Sequence, residues 1–493
     1  MAALPFARFQ IALLLVPALL LLSVASFANG QEPTESAAGS PVFRAGAFAI
    51  DVSPQHFPVI VNGGMTERTA DKIVDRLHAR CLVLDDGTKQ IAIAVVDSCM
   101  LPRDLLDQAK QMASQATGIP TSRMLISATH THSAPASMGC LGSDPDPTYV
   151  AFLPGQIAKG IIQAQKNLAP ARIGWAVSQE PNNVYVRRFL MKPGKANTTR
   201  FTGHTNDRAQ MNPGLNNPNA IRRTGRPDTD VSVVSLQSPD GRPIALLANY
   251  STHYAGSPAI SADYFGVFCE KIAERIGANE ASGDHPPFMA AMTNGTSGDA
   301  NCVDFVRNAP RKFDYFSVAE DVAAAAEQAY RRIEYHDWAP IEMSEALLEL
   351  AVRLPDEQEL AEAKEFVATF ADRKPKTTDE VYAREAVILS QLPPTRELKL
   401  QAIRLGELGI AAIPNEVYSI TGLTIKTDSP FPTTFTIELA NGAEGYIPTP
   451  DQHALGGYTT WRARTSCLEE QAEPKIRATV LKLLREVYAA ARN

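Results

Sequence analysis

The sequence predicts an α/β fold, with large mixed β-sheets flanked by helices. Three observations carry that prediction. Short apolar runs alternate with longer segments of helical spacing along the whole chain. The runs are bounded by Gly, Pro, Asn and Asp, as strand ends are. Polar, chemically able residues gather where the runs stop, which is where open α/β sheets place their sites. The chain has 493 residues and is 45% hydrophobic, enough to bury one large core or several. Charged residues make up 20%, and the net charge of −7 comes without a long single-sign run. That balance argues against nucleic acid and against an anionic membrane surface as partners.

The elements follow in order. Residues 1–28 read as a signal peptide: Arg8 supplies the positive region, residues 11–22 the apolar run, and Ser26-Phe27-Ala28 a small-x-small cleavage site. Pro17 and the shortness of the run disfavour a spanning helix, and no second hydrophobic span follows. The expected location is therefore secreted or periplasmic. Residues 29–41 read as a disordered leader and 42–493 as one folded catalytic domain. Residues 81–84 and 91–96 flank Asp85-Asp86-Gly87 as a hairpin. Helical spacing over 101–117 stops at Gly118-Ile119-Pro120. A strand at 124–128, a helix near 149–167 and a strand near 173–176 come next. The stretch 193–230 is dense in polar residues and breakers and reads as a long loop. Strands are expected at 232–236, 244–249 and 288–292, with helices at 265–276 and 318–333. Two helices, 357–371 and 380–391, read as a hairpin. Strands at 401–405 and 409–413, a helix from about Glu416 and a terminal helix 476–490 complete the chain. The six cysteines form no CxxC pair, so a thiolate zinc knot is not expected, and their pairing is left open. No repeat of 20–50 residues is visible.

Chemistry concentrates after the 124–128 strand, at Thr129-His130-Thr131-His132-Ser133-Ala134-Pro135. Strand side chains repeat every second residue, so His130 and His132 are expected on one side. Two imidazoles facing one point make half a metal site, or a ligand beside an acid/base. Four further strand ends carry candidates: Asn249-Tyr250-Ser251-Thr252-His253, Asn294-Gly295-Thr296-Ser297-Gly298-Asp299, Ile413-Pro414-Asn415-Glu416 and Glu444-Gly445-Tyr446. Each has a plainer reading alone. His253 could be a hydrogen-bonded loop histidine, Glu416 a first-turn helix carboxylate, Tyr446 and Tyr458 half-buried tyrosines, and Asp299 a helix cap. Arg187 could pair with surface acids. Two His and one carboxylate are also the ligand set of non-haem iron oxygenases.

Taken in order, these motifs resemble those of the neutral/alkaline ceramidases. Ala45-Gly46 through Asp51-Val52-Ser53-Pro54 and Ser261-Ala262-Asp263-Tyr264 add supporting matches. The resemblance runs from about Arg44 to the C-terminus. It implies one Zn2+ held by His130, His253, Glu416 and Tyr446, with His132 beside the metal as acid/base or oxyanion partner. It also implies active-site roles for Tyr458, twelve residues after Tyr446, and for an arginine at Arg187 or Arg188, Arg187 being the better match. The activity implied is hydrolysis, with zinc-activated water attacking an amide or related carbonyl of a small-molecule or lipid-like substrate. Two departures stand out. The family has a serine after its Gly-rich loop, whereas this chain reads Gly298-Asp299-Ala300-Asn301-Cys302 and places Asn301 there. The family's C-terminal β-sandwich has no counterpart after Tyr458. Ceramide as substrate is therefore not carried over, and a catalytically silent zinc protein that binds a lipid or glycan is the rival expectation.

Overall fold

The computed structural model describes residues 41–204, 206–279 and 283–490. The expected signal peptide and leader fall, but for Pro41, outside them. The described chain is a mixed α/β fold made of three units that repeat one plan. In the first unit, β1 (Arg44–Asp51), β2 (His78–Asp85) and β3 (Gln90–Val96) form an antiparallel meander. Helix α1 (Arg103–Thr117) then crosses over to β4 (Met124–Ala128), which lies parallel to β3, and α2 (Pro147–Lys166) follows. In the second unit, β5 (Arg172–Gln179), β6 (Asp230–Gln237) and β7 (Pro243–Tyr250) form the meander. Helix α3 (Asp263–Arg275) leads to parallel β8 (Met289–Asn294), and α4 (Tyr315–Tyr330) follows. The third unit has β9 (Ile341–Ala351), then the helical hairpin α5 (Glu357–Ala368) and α6 (Thr378–Leu389). Strands β10 (Thr395–Leu405) and β11 (Leu408–Ala412) continue its meander, α7 (Ser419–Asp428) crosses to parallel β12 (Thr433–Ile437), and α8 (Ala472–Ala490) closes it.

Alternating side chains explain how the units fit together. In β3, Ile91, Ile93 and Val95 enter a core shared by all three sheets, while Ala92, Ala94 and Val96 face α1 and α2. In β7, Ala245 and Leu247 enter the shared core, and Leu246, Ala248 and Tyr250 face α3 and α4. In β11, Leu408, Ile410 and Ala412 enter it, and Ala411 faces the layer of α7 and α8. The inner faces of three sheets thus bury one another, and helices cover the outer faces. Burial on both faces is why these strands read as continuous apolar runs rather than as alternating ones.

Each unit ends its parallel pair of strands toward the same place. The ends are stitched together by backbone bonds: Ala128 N donates to Leu439 O, Glu438 N to Asn294 O, and Ala440 N to Ile413 O. The 193–230 stretch is more structured than expected. Its short strands Ala209–Met211 and Ala220–Arg223 flank Arg188–Met191 in a three-stranded sheet. The sequence expectation also missed β1, β9 and β12, and it began a helix at Glu416. Instead Glu416–Val417 is a two-residue strand pairing in parallel with Tyr446–Ile447, and the helix starts at Ser419.

Candidate metal centre

One ligand-bearing residue comes from each unit. His130 follows β4, His253 follows β7, and Glu416 follows β11. Their ligand atoms converge. His130 Nε2 lies 3.0 Å from His253 Nε2 and 3.3 Å from Glu416 Oε2, which is 4.0 Å from His253 Nε2. All three residues are buried. The convergence of His130 and His132 does not come from strand alternation, because β4 ends at Ala128. His130 instead takes a left-handed backbone with φ of 73°, a conformation that costs energy away from glycine and gathers at functional sites. Gly298 allows the second unit's loop to meet the third. A Cβ there would lie 2.8 Å from the carbonyl oxygen of Glu416, and Gly298 N donates to Val417 O at 2.8 Å.

Hydrogen bonding fixes the imidazole tautomers. His130 Nδ1–H donates to the Cys99 carbonyl at 2.8 Å, and His253 Nδ1–H to the Ser297 carbonyl at 3.2 Å. With the protons on Nδ1, both Nε2 lone pairs face inward, and burial followed by nearby Arg187 holds His253 well below the usual histidine range. Glu416 Oε2 is buried and has no hydrogen-bond partner among the described residues. Two imidazole nitrogens and a carboxylate oxygen therefore face one another in a buried pocket, an arrangement that suits a divalent cation. The 3.0–4.0 Å separations bracket the ligand-to-ligand edge of a tetrahedron built on metal–nitrogen bonds of about 2.0–2.1 Å. The residues fit a metal. A second grouping, Cys99, His130 and His132, fits less well. Burial raises the Cys99 thiol well above its ordinary value, so it stays protonated, and His130 Nδ1 is already engaged beside it.

Other expected residues surround this cluster. His132 Nε2 is 3.3 Å from His130 Nε2, and its ring stacks on Tyr254 at 3.9 Å between centroids. Gly63, with φ of 91°, lets the chain pass over that ring, because a Cβ would sit 2.5 Å from His132 Nδ1. Burial, then the charges of His130, Arg187 and Arg68, hold His132 well below its ordinary value. Arg187 is buried and reaches Tyr446 Oη at 3.4 Å and the Gly298 carbonyl at 3.2 Å. Its nitrogen lies 3.2 and 3.3 Å from the two His253 ring nitrogens, so it aims at neither lone pair. Burial opposes its charge, but the neighbouring Tyr446 and Glu416 hold it above the ordinary guanidinium value. Arg188 is used elsewhere, donating to the carbonyls of Gln452 and Gly456. Tyr446 lies beside Glu416 through their paired strands, and burial, then the Glu416 carboxylate, raise its phenol. Tyr458 meets it edge-on at 5.8 Å between ring centroids.

Two candidates stand apart in their bonding. Asp299 accepts from Ser419 N at 2.8 Å and anchors the start of α7, with no hydrogen bond to a histidine among the described residues. Asn301 accepts from Val303 N and donates to Asn212. One residue escaped the sequence reading altogether. The buried Glu438 carboxylate accepts from Ser297 Oγ at 2.6 Å, Ser297 N at 3.1 Å, Asn294 Nδ2 at 2.8 Å and Val417 N at 2.8 Å. It thereby ties the loop behind His253 to the strand that carries Glu416. It sits just past β12, a strand the pattern did not show.

A three-unit α/β body with a buried two-histidine, one-carboxylate cluster at its strand ends is the class that fold and site define together. Two solved structures that share this fold are ceramidases. The neutral ceramidase of Pseudomonas aeruginosa superposes with a TM-score of 0.65 at 14% identity, covering 90% of this chain and 74% of that one. A ceramidase complexed with C2 gives 0.63 at 15%, covering 92% and 75%. No family model matches the sequence. At these identities the likeness establishes the fold: this chain has the architecture of the ceramidases it matches.

Proposed function

We propose that the protein is an exported zinc-dependent hydrolase that cleaves an N-acyl amide or related acyl bond. The observation that carries the proposal is the buried convergence of His130 Nε2, His253 Nε2 and Glu416 Oε2. The fold supports it, because that convergence lies in a body shared with two proteins that are ceramidases by name. Zn2+ held by His130, His253 and Glu416, with Tyr446 as a fourth ligand, would supply Lewis acidity and lower the pKa of water. The chain's own residues do the rest. His132, neutral and held by Tyr254 and Gly63, is placed to take a proton from the attacking water and return it to the leaving amine. Arg187 presents its guanidinium where an acyl oxygen gains charge, and burial strengthens that attraction. Tyr458 adds a second phenol on that side. In this reading Asp299 steadies α7 behind the site, and Asn301 sets the loop edge.

The test is metal content and turnover together. Purified wild type is expected to hold about one zinc per chain, lost in His130→Ala and Glu416→Ala, and to hydrolyse a member of an N-acyl substrate panel. Zinc-replete protein with no bound metal would overturn the reading. The silent-binder alternative is motivated by Asn301, whose carboxamide is engaged with Asn212 and Val303 rather than with the cluster. Any turnover that disappears in His132→Ala excludes it.

A further inference from the structure

Beside Tyr458 lies a cavity of about 360 Å³. The segment after Arg188–Met191 contributes Asn197, Thr198, Thr199 and Gln210 to it, and α6 contributes Thr378. Met65 and Met211 close other sides, and Trp461 meets Tyr458 at 84° with ring centroids 6.3 Å apart. Tyr458 is thus shared, with one side toward Tyr446 and the metal cluster and the other toward this cavity.

The lining is specific in what it lacks. Among the described residues it holds no Asp, Glu, Lys, Arg or His, so a phosphate, carboxylate or ammonium group would be desolvated there without a partner. An alkyl chain fares worse, because it would strip water from the Asn197, Thr198 and Thr378 side chains and satisfy none of them, while Thr199 already donates to Asp379 and Gln210 Oε1 accepts from Asn197 N. The combination suits a neutral molecule with hydroxyls around its edge and an apolar face, which the Trp461–Tyr458 corner can flank.

We propose that this cavity binds a neutral, hydroxylated ring of the amino-sugar class, whose N-acyl group then reaches past Tyr458 to the metal cluster. The proposal rests on the hydrolase reading for its chemistry but not for its binding. Hydrolysis would break the C–N amide bond, add water's hydroxyl to the acyl carbon as a carboxylic acid, and return a proton to the free amine. The site therefore discriminates by hydroxyl groups rather than by chain length, and loss of a bonded hydroxyl costs far more than loss of a methylene.

N,N′-Diacetylchitobiose, the disaccharide of N-acetylglucosamine (hereafter chitobiose), is the probe. Its binding to the zinc-free full chain is measured by calorimetry, and its deacetylation by the zinc-loaded chain is measured separately. The expected result is saturable binding that weakens at least about tenfold in both Gln210→Leu and Thr378→Val, with their zinc content unchanged. Binding without turnover would leave the cavity assignment standing and overturn the hydrolase reading. Absence of chitobiose binding, or binding indifferent to both substitutions, would overturn the cavity assignment. Turnover of a long-chain N-acylsphingosine that neither substitution alters would do the same while preserving the hydrolase.

Discussion

The histidine tautomers are set one bond away from the ligand atoms, and the side chains responsible were partly invisible in the sequence. His130 and His253 were legible because each follows an apolar strand. The left-handed backbone at His130 was not, since nothing in Ala128-Thr129-His130 announces it. Ser297 was seen as part of a Gly-rich loop, but its place between His253 and Glu438 depends on three separate strand ends meeting. Ser297 Oγ lies 3.3 Å from His253 Nδ1 and donates to Glu438 at 2.6 Å. Supporting contacts of this kind set ring orientation and ligand basicity. Ser297→Ala is therefore expected to weaken zinc affinity about 10- to 100-fold while keeping the ligands, read by competition with a chromogenic chelator. Unaltered affinity would mean that the Ser297 carbonyl alone positions the ring.

At the scale of elements, strands with two buried faces were found where they were pure apolar runs, as in β3, β7 and β11. They were missed where polar residues interrupt them. In β9, Glu342, Ser344 and Glu345 break the run on a half-exposed strand, and three of the five residues of β12 are threonine. Helix α1 was legible from its spacing, yet it carries a residue that pattern cannot explain. Lys110 is fully buried, and its ammonium donates to Asn441 Oδ1 at 2.6 Å. Burial, then the nearby Lys399 charge, bring it down to about 7. Between pH 7 and about 10 the unfolded chain keeps this proton while the native chain gives it up. Stability from this group therefore rises with pH across that window, and the cost of the buried charge is largest below it. Lys110→Met should raise the melting temperature at pH 6 more than at pH 9.5. Asn441 Oδ1 retains the Ile126 amide as a donor in that variant. An equal gain at both values would refute the assignment.

For the whole molecule, the sequence showed α/β alternation but not the threefold plan, because each unit is longer than the repeat lengths that reveal themselves by eye and each has different insertions. Two long insertions, 193–230 and the α5–α6 hairpin, interrupt the second and third meanders and disguise them. Each unit supplies one candidate ligand, so a cation is expected to bind only the assembled body. Zinc should then raise the melting temperature in a concentration-dependent way, by about 2.7 kcal/mol of stability at a hundredfold excess over Kd. A chelator should reverse it, and Glu416→Ala should abolish it. A zinc-independent melting temperature in wild type would show that the cluster is not a metal site.

Because His130, His253 and Glu416 follow strands of three separate sheets, an ion held between them would act as a keystone that reports on every arch. A substitution that loosens any one sheet, even at the far end of its helices, would then shift a candidate ligand and leak metal. Inactivating mutations should therefore scatter across the whole body instead of crowding around the site, and retained zinc would distinguish a lost chemical group from a lost scaffold.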